Sequence, residues 1–238
     1  MPFVQAGSGK HPIRRWSSWY DKRLVTAAGE AILTELDTWA ISQLRAHKLV
    51  WSGWGPMQAL PRSDETVPGT GWSVRKVSGI DPRRLRLFFL SLLWRAAATD
   101  RPEFSEVDMP AKDIEKLRSM LVAGDPEPLS FYPTTLTQLS TLGITHNLTP
   151  LAETKTIPGL GGEADQTVPY FRFYFDGLIA HMHRQASDGG VSGGLGPLVV
   201  GAGGELVLST IPFETSFERE NLRVVMSESK GTWPGIDL

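Results

Sequence analysis

The strongest pattern in the chain is a run of apolar residues with helical spacing at residues 81–99. Asp81 is a good N-cap residue, and Pro82 suits the first position of a helix. The apolar residues cover nearly the whole helix surface: Leu85, Leu87, Phe88, Phe89, Leu90, Leu92, Leu93, Trp94 and Ala96. The one polar stripe consists of Arg84, Ser91 and Arg95. Such a helix is usually buried in the centre of a domain, where Arg95 needs a carboxylate or several carbonyl partners.

Weaker patterns predict the elements on either side of this central helix. Apolar stripes predict helices at 30–47 and 110–122, the second ending before Gly124. A short strand is predicted at 72–77 in a segment that is otherwise rich in glycine and proline.

From about residue 130 onward, Thr, Val, Phe and Tyr become frequent, which favours strands. Residues 170–184 predict either one long strand or a strand pair bent at Gly177. Residues 198–200 and 205–211 flank a glycine-rich turn and predict a hairpin. A short helical or extended piece is predicted at 213–226.

These elements predict an α+β fold in a single domain spanning residues 1–238. Its helical part covers about 20–125 around the central helix at about 81–99, and an antiparallel β-rich part covers about 130–226.

The composition narrows the possible chemistry. The 238 residues include 24 basic and 26 acidic side chains, so the net charge of −2 provides no bulk attraction to nucleic acid. The absence of cysteine excludes disulfides, thiol nucleophiles and thiolate metal sites. The N-terminal residues lack the apolar segment of a signal peptide, and no run of residues is apolar enough to span a bilayer. A cytoplasmic protein without membrane contact is expected.

Four short segments resemble a family of poorly characterised bacterial proteins whose N-termini are similar to HNH-type, treble-clef zinc folds. The segments are WYDKRLVTAAGE at 19–30, LDTWA at 36–40, FLSLLWRA at 89–96 and FYFDGL at 173–178. The family pattern carries a Cys-x-x-Cys pair where this chain has Thr26 and Gly29, and neither residue can bind zinc as a thiolate. The resemblance therefore implies an HNH-like module that has lost its zinc site.

Histidines are the candidates for catalysis and metal binding. His11 lies where the resemblance places a histidine near a proline, which makes it a candidate for the general base of a nuclease. His181 and His183 are spaced to share one face of a strand, so two imidazoles could bind one metal ion, with Glu214 or Asp176 as an oxygen donor. The alternative is a pair of surface histidines without a metal.

Two basic clusters are candidates for contacts with a nucleic-acid backbone, because cations interleaved with Trp can bind single strands. One cluster contains Arg14, Arg15, Lys22 and Arg23, and the other contains Arg83, Arg84 and Arg86. The alternative is that these cations pair with acidic side chains.

The sequence leaves three functions open. The first is a non-catalytic interaction protein that contacts nucleic acid or a larger protein assembly. The second is a metal-dependent nuclease or other hydrolase that uses His11 or the His181/His183 pair. The third is a structural subunit of a phage or mobile-element particle. No cofactor is expected, since the glycine-rich turn at 201–204 lacks the Lys and Ser/Thr of a phosphate loop.

Overall fold

A computed structural model gives the architecture of the chain. It describes residues 3–7, 10–15, 21, 23–61, 65–66, 71–144, 147–157, 166–184 and 194–232. For the first two strands, only the backbone is described. The helices in these residues are α1 (Ala27–Ala46), α2 (Pro82–Ala98), α3 (Ala111–Ala123) and α4 (Phe217–Thr232). The α+β class expected from the sequence is confirmed.

Seven strands form one mixed sheet in the order β3-β4-β9-β5-β8-β7-β6. They are β3 (Glu65–Thr66), β4 (Ser73–Val77), β5 (Thr134–Leu139), β6 (Asn147–Ile157), β7 (Gln166–Phe175), β8 (Leu178–His183) and β9 (Leu206–Ile211). Two further strands, β1 (Phe3–Gly7) and β2 (Lys10–Arg15), form a separate antiparallel pair. β4 confirms the short strand predicted at 72–77. Both β3 and β4 come from the part of the chain predicted to be mainly helical, so the sheet joins both parts.

The sheet differs from the prediction in two details. The hairpin predicted between 198–200 and 205–211 is wrong, because Val199 bridges to Thr135 and β9 lies between β4 and β5. The pairing of β9 with β5 is parallel, whereas the other neighbours in this sheet are antiparallel. The strand pair predicted around Gly177 is confirmed as β7 and β8.

Gly177 is required at the turn between β7 and β8. Its φ of +82° lies in the left-handed region, and an added Cβ would sit 2.5 Å from the Trp51 ring. Trp51 also packs edge-to-face on Phe213, with 5.8 Å between ring centres. These contacts hold the segment after α1 against the face of the sheet that lies opposite the main core.

The central helix α2 is buried as the sequence predicts. Leu85, Phe88, Phe89 and Leu93 are buried, and only Leu92 among the five residues expected to be covered is half-buried. The main core contains residues of α1, α2, α3 and one face of the sheet. Phe89 stacks on Phe175 of β7 with ring centres 6.4 Å apart, so α2 contacts the sheet directly.

The start of α1 explains what Thr26 and Gly29 do in this chain. Thr26 is the N-cap of α1, and its hydroxyl accepts the backbone N–H of Gly29 at 3.3 Å. The helix therefore begins at Ala27, three residues before the predicted start. The two positions at which the resembled family carries cysteines form a helix cap here.

Candidate functional site

An open cleft runs beside α1, on the side that faces α2 and β7. α1 contributes side chains at positions 30, 33, 34, 37 and 41, which share one face because residues three or four apart are neighbours on a helix. This spacing corresponds to a length of about 16 Å at the helical rise of 1.5 Å per residue. The cleft holds about 490 Å³, a volume typical of ligand pockets.

The walls of the cleft are mainly apolar. They include Leu24, Val25, Leu33, Phe88, Leu92 and Phe173. Ile41 lies at one end and is 43% exposed, so the apolar lining continues onto the protein surface. The cleft can therefore bury an apolar group that is presented from outside the protein.

An ion pair between α1 and α2 supplies the polar part of the lining. Both terminal nitrogens of Arg95 donate to the Asp37 carboxylate, at 2.7 and 2.8 Å. The Arg95 Nε donates to the carbonyl of Ser91 at 3.2 Å, and Nη2 donates to the Ser91 hydroxyl at 3.1 Å. The expectation that Arg95 finds a carboxylate is confirmed. This bidentate pair fixes the relative position of the two helices.

Two further carboxylates, Asp21 and Glu30, line the same cleft. Asp21 accepts the Thr99 hydroxyl at 2.6 Å and the backbone N–H of Arg23 at 3.0 Å. The hydrogen bond from Thr99, followed by that from Arg23, lowers the pKa of Asp21, so this group is ionised at neutral pH. Glu30 lies exposed in the first turn of α1, where a negative charge is favourable.

A second polar cluster is buried between α4 and the sheet. The Arg172 Nη2 of β7 lies 3.2 Å from Glu153 Oε1, and its Nε lies 3.5 Å from Glu218 Oε1. Tyr170 donates its hydroxyl to Glu153 at 2.7 Å. Glu218 is fully buried, and neither of its oxygens accepts a hydrogen bond from the part of the chain that the structure describes. This cluster attaches the first turn of α4 to the sheet.

Burial raises the pKa of Glu218 to about 7; Arg172 opposes this shift, and Glu153 adds to it. The folded protein therefore holds a proton that the unfolded chain releases above about pH 4.5. The free energy of unfolding should consequently fall as the pH rises from about 4.5 to 7 and stay lower above that range. Titration of Glu218 should therefore make the protein less stable above about pH 7 than below about pH 4.5.

We expect Glu218→Gln to be more stable than the wild type at pH 8 by about 1–3 kcal/mol, because the variant buries no charge. At pH 5 the difference should nearly disappear, since Glu218 is then mostly protonated. Urea unfolding at both pH values measures the change. Glu220→Gln is the matched control, because Glu220 is an exposed carboxyl on the same helix. An unchanged pH dependence in Glu218→Gln would contradict the assignment.

The histidine pair has the predicted placement on one strand face, where its neighbours are aromatic, hydroxyl and cationic side chains. The ring centres of His181 and His183 are 6.4 Å apart, and both rings are near Tyr170. His183 is fully buried and shares a hydrogen bond of 3.2 Å with the Thr135 hydroxyl. Burial, together with the charge of Lys155, lowers the pKa of both histidines to about 3. Both imidazoles are therefore neutral at pH 7.

The oxygen donors suggested for a metal at this pair have other partners. Glu214 accepts the Thr141 hydroxyl at 2.6 Å, and Asp176 accepts the backbone N–H of Ser52 at 3.0 Å. Among the described residues, no group of three or more His, Cys, Asp or Glu side chains is arranged to hold a metal ion.

The second basic cluster is not a surface patch of free cations. Arg83 pairs with Glu127 and Asp125, and Arg84 pairs with Glu35 at 2.9 Å while lying over the Trp39 ring. Arg86 is fully buried and donates to the carbonyls of four residues: Pro126, Pro128, Phe131 and Tyr132. The expectation that Arg86 contacts nucleic acid is therefore corrected, because its guanidinium holds the loop after α3 in place.

The structure describes the candidate residues near the N-terminus only in part. His11, Arg14 and Arg15 belong to β2, but their side chains lie outside the described residues, as does all of Lys22. Arg23 is exposed just before α1. The structure therefore leaves the role of this cluster as a prediction.

The sequence does not predict the cleft as a site. Only its ion pair could have been expected, since Arg95 lies in an apolar helix and must find a partner. The face of α1 that lines the cleft carries both apolar and acidic residues, a pattern that also describes an ordinary amphipathic helix.

In the described part of the chain, no helix has both the length and the apolar character needed to cross a bilayer. Comparisons of the chain with known family models, with curated proteins and with solved structures find no match.

Proposed function

We propose that the protein is a non-catalytic interaction protein that binds a partner protein through the cleft beside α1. The observation that carries this proposal is the cleft itself, whose apolar lining continues onto the surface at Ile41. An accessible apolar depression of this size is suited to receive side chains of a partner. Descent from an HNH-like module without zinc and a cytoplasmic location are part of the same proposal.

The pairing of cations supports a protein partner over nucleic acid. Arg83, Arg84 and Arg95 all form ion pairs with acidic side chains, so much of their charge is already compensated. A phosphate backbone would have to compete with these carboxylates, whereas an apolar group entering the cleft would leave the pairs intact.

The environment of the histidines also supports a non-catalytic role over a nuclease. A general base works best with a pKa near the working pH. Burial lowers the pKa values of His181 and His183 well below neutral pH. The full burial of His183 also separates its ring from a macromolecular substrate. The nuclease and the particle subunit both stay predictions.

We expect the purified protein to contain far less than one zinc ion per chain, because Thr26 and Gly29 supply no thiolate and instead cap α1. Elemental mass spectrometry measures the content. Treatment with EDTA should leave the thermal unfolding midpoint unchanged, since no structural metal is removed. Stoichiometric zinc, or a midpoint that falls with EDTA, would contradict a metal-free module.

Incubation with single- and double-stranded DNA and RNA in the presence of Mg²⁺, Mn²⁺ or Zn²⁺ tests the non-catalytic assignment separately. We expect no cleavage above the buffer control. Cleavage that is lost in His11→Ala or in His181→Ala would overturn the assignment in favour of a nuclease.

A further inference from the structure

The cleft carries an excess of negative charge, which restricts the chemistry of what it can bind. Its charged lining residues are Asp21, Glu30, Asp37, Arg95 and Arg101. Arg95 is held by both oxygens of Asp37, so these two charges compensate each other within the wall. Arg101 lies 3.4 Å from the buried carboxylate of Glu103. Asp21 lies near the cations of Arg23 and Arg101, whose charges help to lower its pKa. Among the described residues that line the cleft, Glu30 is therefore the carboxylate left without a cationic partner.

We propose that the partner segment bound by the cleft presents an apolar side chain next to a lysine or arginine. This inference rests on the proposed function and names the chemistry of its partner. The apolar side chain packs between Leu33, Phe88 and Leu92, and the cation lies near Glu30. Charge complementarity of this kind sets specificity and association rate more than total affinity.

Glu30 is the better placed of the two carboxylates to receive the cation. It forms no hydrogen bond or ion pair with any side chain in the described part of the chain. Both oxygens of Asp21 already accept hydrogen bonds, from Arg23 and Thr99, although its negative charge remains. The charges of Arg23 and Arg101 also act on Asp21, so Glu30 is the carboxylate that can form a new ion pair.

The dimensions of the cleft fit a peptide segment. A length of about 16 Å matches about five residues of extended chain at 3.3 Å per residue. The volume of about 490 Å³ leaves room for one large side chain and part of its neighbours. A partner segment can therefore place an apolar group in the cleft and a basic neighbour near Glu30 at the same time.

Three short peptides test the inference: Ac-Phe-Lys-NH2, Ac-Phe-Gln-NH2 and Ac-Phe-Glu-NH2. Their affinities are measured by titration of the ¹⁵N-labelled full chain, following the backbone signals of α1 and α2. We expect the lysine peptide to bind best and the glutamate peptide worst, with the two separated by about five- to tenfold, because each charge contributes roughly the energy of an exposed ion pair.

Variants of the chain separate the effect of the cleft's charge on peptide binding from the effect of its shape. Glu30→Gln should weaken binding of the lysine peptide by about threefold and leave the glutamine peptide unchanged. Glu35→Gln removes the same charge from α1 outside the cleft and should have no effect on either peptide. Leu92→Trp, which fills the cleft, should weaken all three peptides. Circular dichroism confirms that each variant is folded.

The outcomes distinguish the inference from the function on which it rests. Equal binding of all three peptides, reduced by Leu92→Trp, overturns the charge preference and leaves the cleft as a binding site. Absence of binding by all three peptides overturns the proposed function as well. Tighter binding of 4-phenylbutylamine than of the lysine peptide would overturn a peptide partner in favour of a small organic amine.

Discussion

Arg86→Ala is expected to destabilise the fold by about 3–5 kcal/mol, although arginine is usually a surface residue. The guanidinium is fully buried and donates to Pro126, Pro128, Phe131 and Tyr132, with its shortest bond, 2.6 Å, to Phe131. Burial lowers its pKa to about 10, so the group still carries its charge at neutral pH. Removing it leaves several buried carbonyl groups without a donor, which is the costly case for hydrogen bonds.

Arg83→Ala is the matched control for this prediction. Arg83 lies one turn before Arg86 on α2, but its ion pairs with Glu127 and Asp125 are exposed. Its loss should therefore cost less than about 1 kcal/mol. Urea unfolding of both variants gives the comparison. If Arg86→Ala unfolds at the wild-type midpoint, or if Arg83→Ala costs as much, Arg86 does not hold the loop after α3.

The sequence predicts α1, α2 and α3 well because their signals are local, whereas α4 extends beyond the short helical or extended piece predicted at 213–226. Asp81 accepts the backbone N–H groups of Arg83 and Arg84, and Gly124 ends α3 in the left-handed conformation, as their residue types indicate. The all-round apolar pattern of α2 likewise requires burial wherever the helix lies in the fold. The Arg95 guanidinium needed an acceptor, and only the identity of Asp37 depended on tertiary structure.

The sheet order and the site depend on long-range contacts, which local patterns do not encode. The glycines at 201–204 are compatible with a hairpin, yet β9 pairs with β4 and β5 because its alternate residues, Leu206 and Leu208, join the main core. Sequence proximity groups Arg86 with its basic neighbours, because it does not show which side of α2 is buried. The cleft likewise requires α1, α2 and β7 to be assembled before it exists.

The two faces of the sheet explain why the cleft beside α1 and the cluster around Glu218 are separate sites. Phe171 and Phe173 on β7 belong to the main core, while the alternating Tyr170, Arg172 and Tyr174 face the opposite side. The cleft forms where the main core reaches the surface beside α1. The cluster around Glu218 forms on the other face, where α4 covers the sheet, so binding at the cleft and protonation of Glu218 can be tested independently.

Phe89→Ala should destabilise the protein by about 3–5 kcal/mol, the usual range for truncating an aromatic side chain in a core. Phe89 is fully buried at the middle of α2 and packs edge-to-face on Phe88, with ring centres 5.2 Å apart. On its other side it stacks on Phe175 of β7. The truncation would leave a cavity between the helix and the sheet, and the surrounding helices could close it only in part.

Urea unfolding at pH 7 measures this loss as a lower midpoint with little change in slope. Val122→Ala is the control, because Val122 is 63% exposed on α3, so its truncation should change stability by less than about 0.5 kcal/mol. Phe89 is not among the residues that line the cleft, so the variant should lose affinity for the lysine peptide only to the extent that it unfolds. A wild-type midpoint for Phe89→Ala would contradict the central position of α2 and, with it, the architecture that forms the cleft.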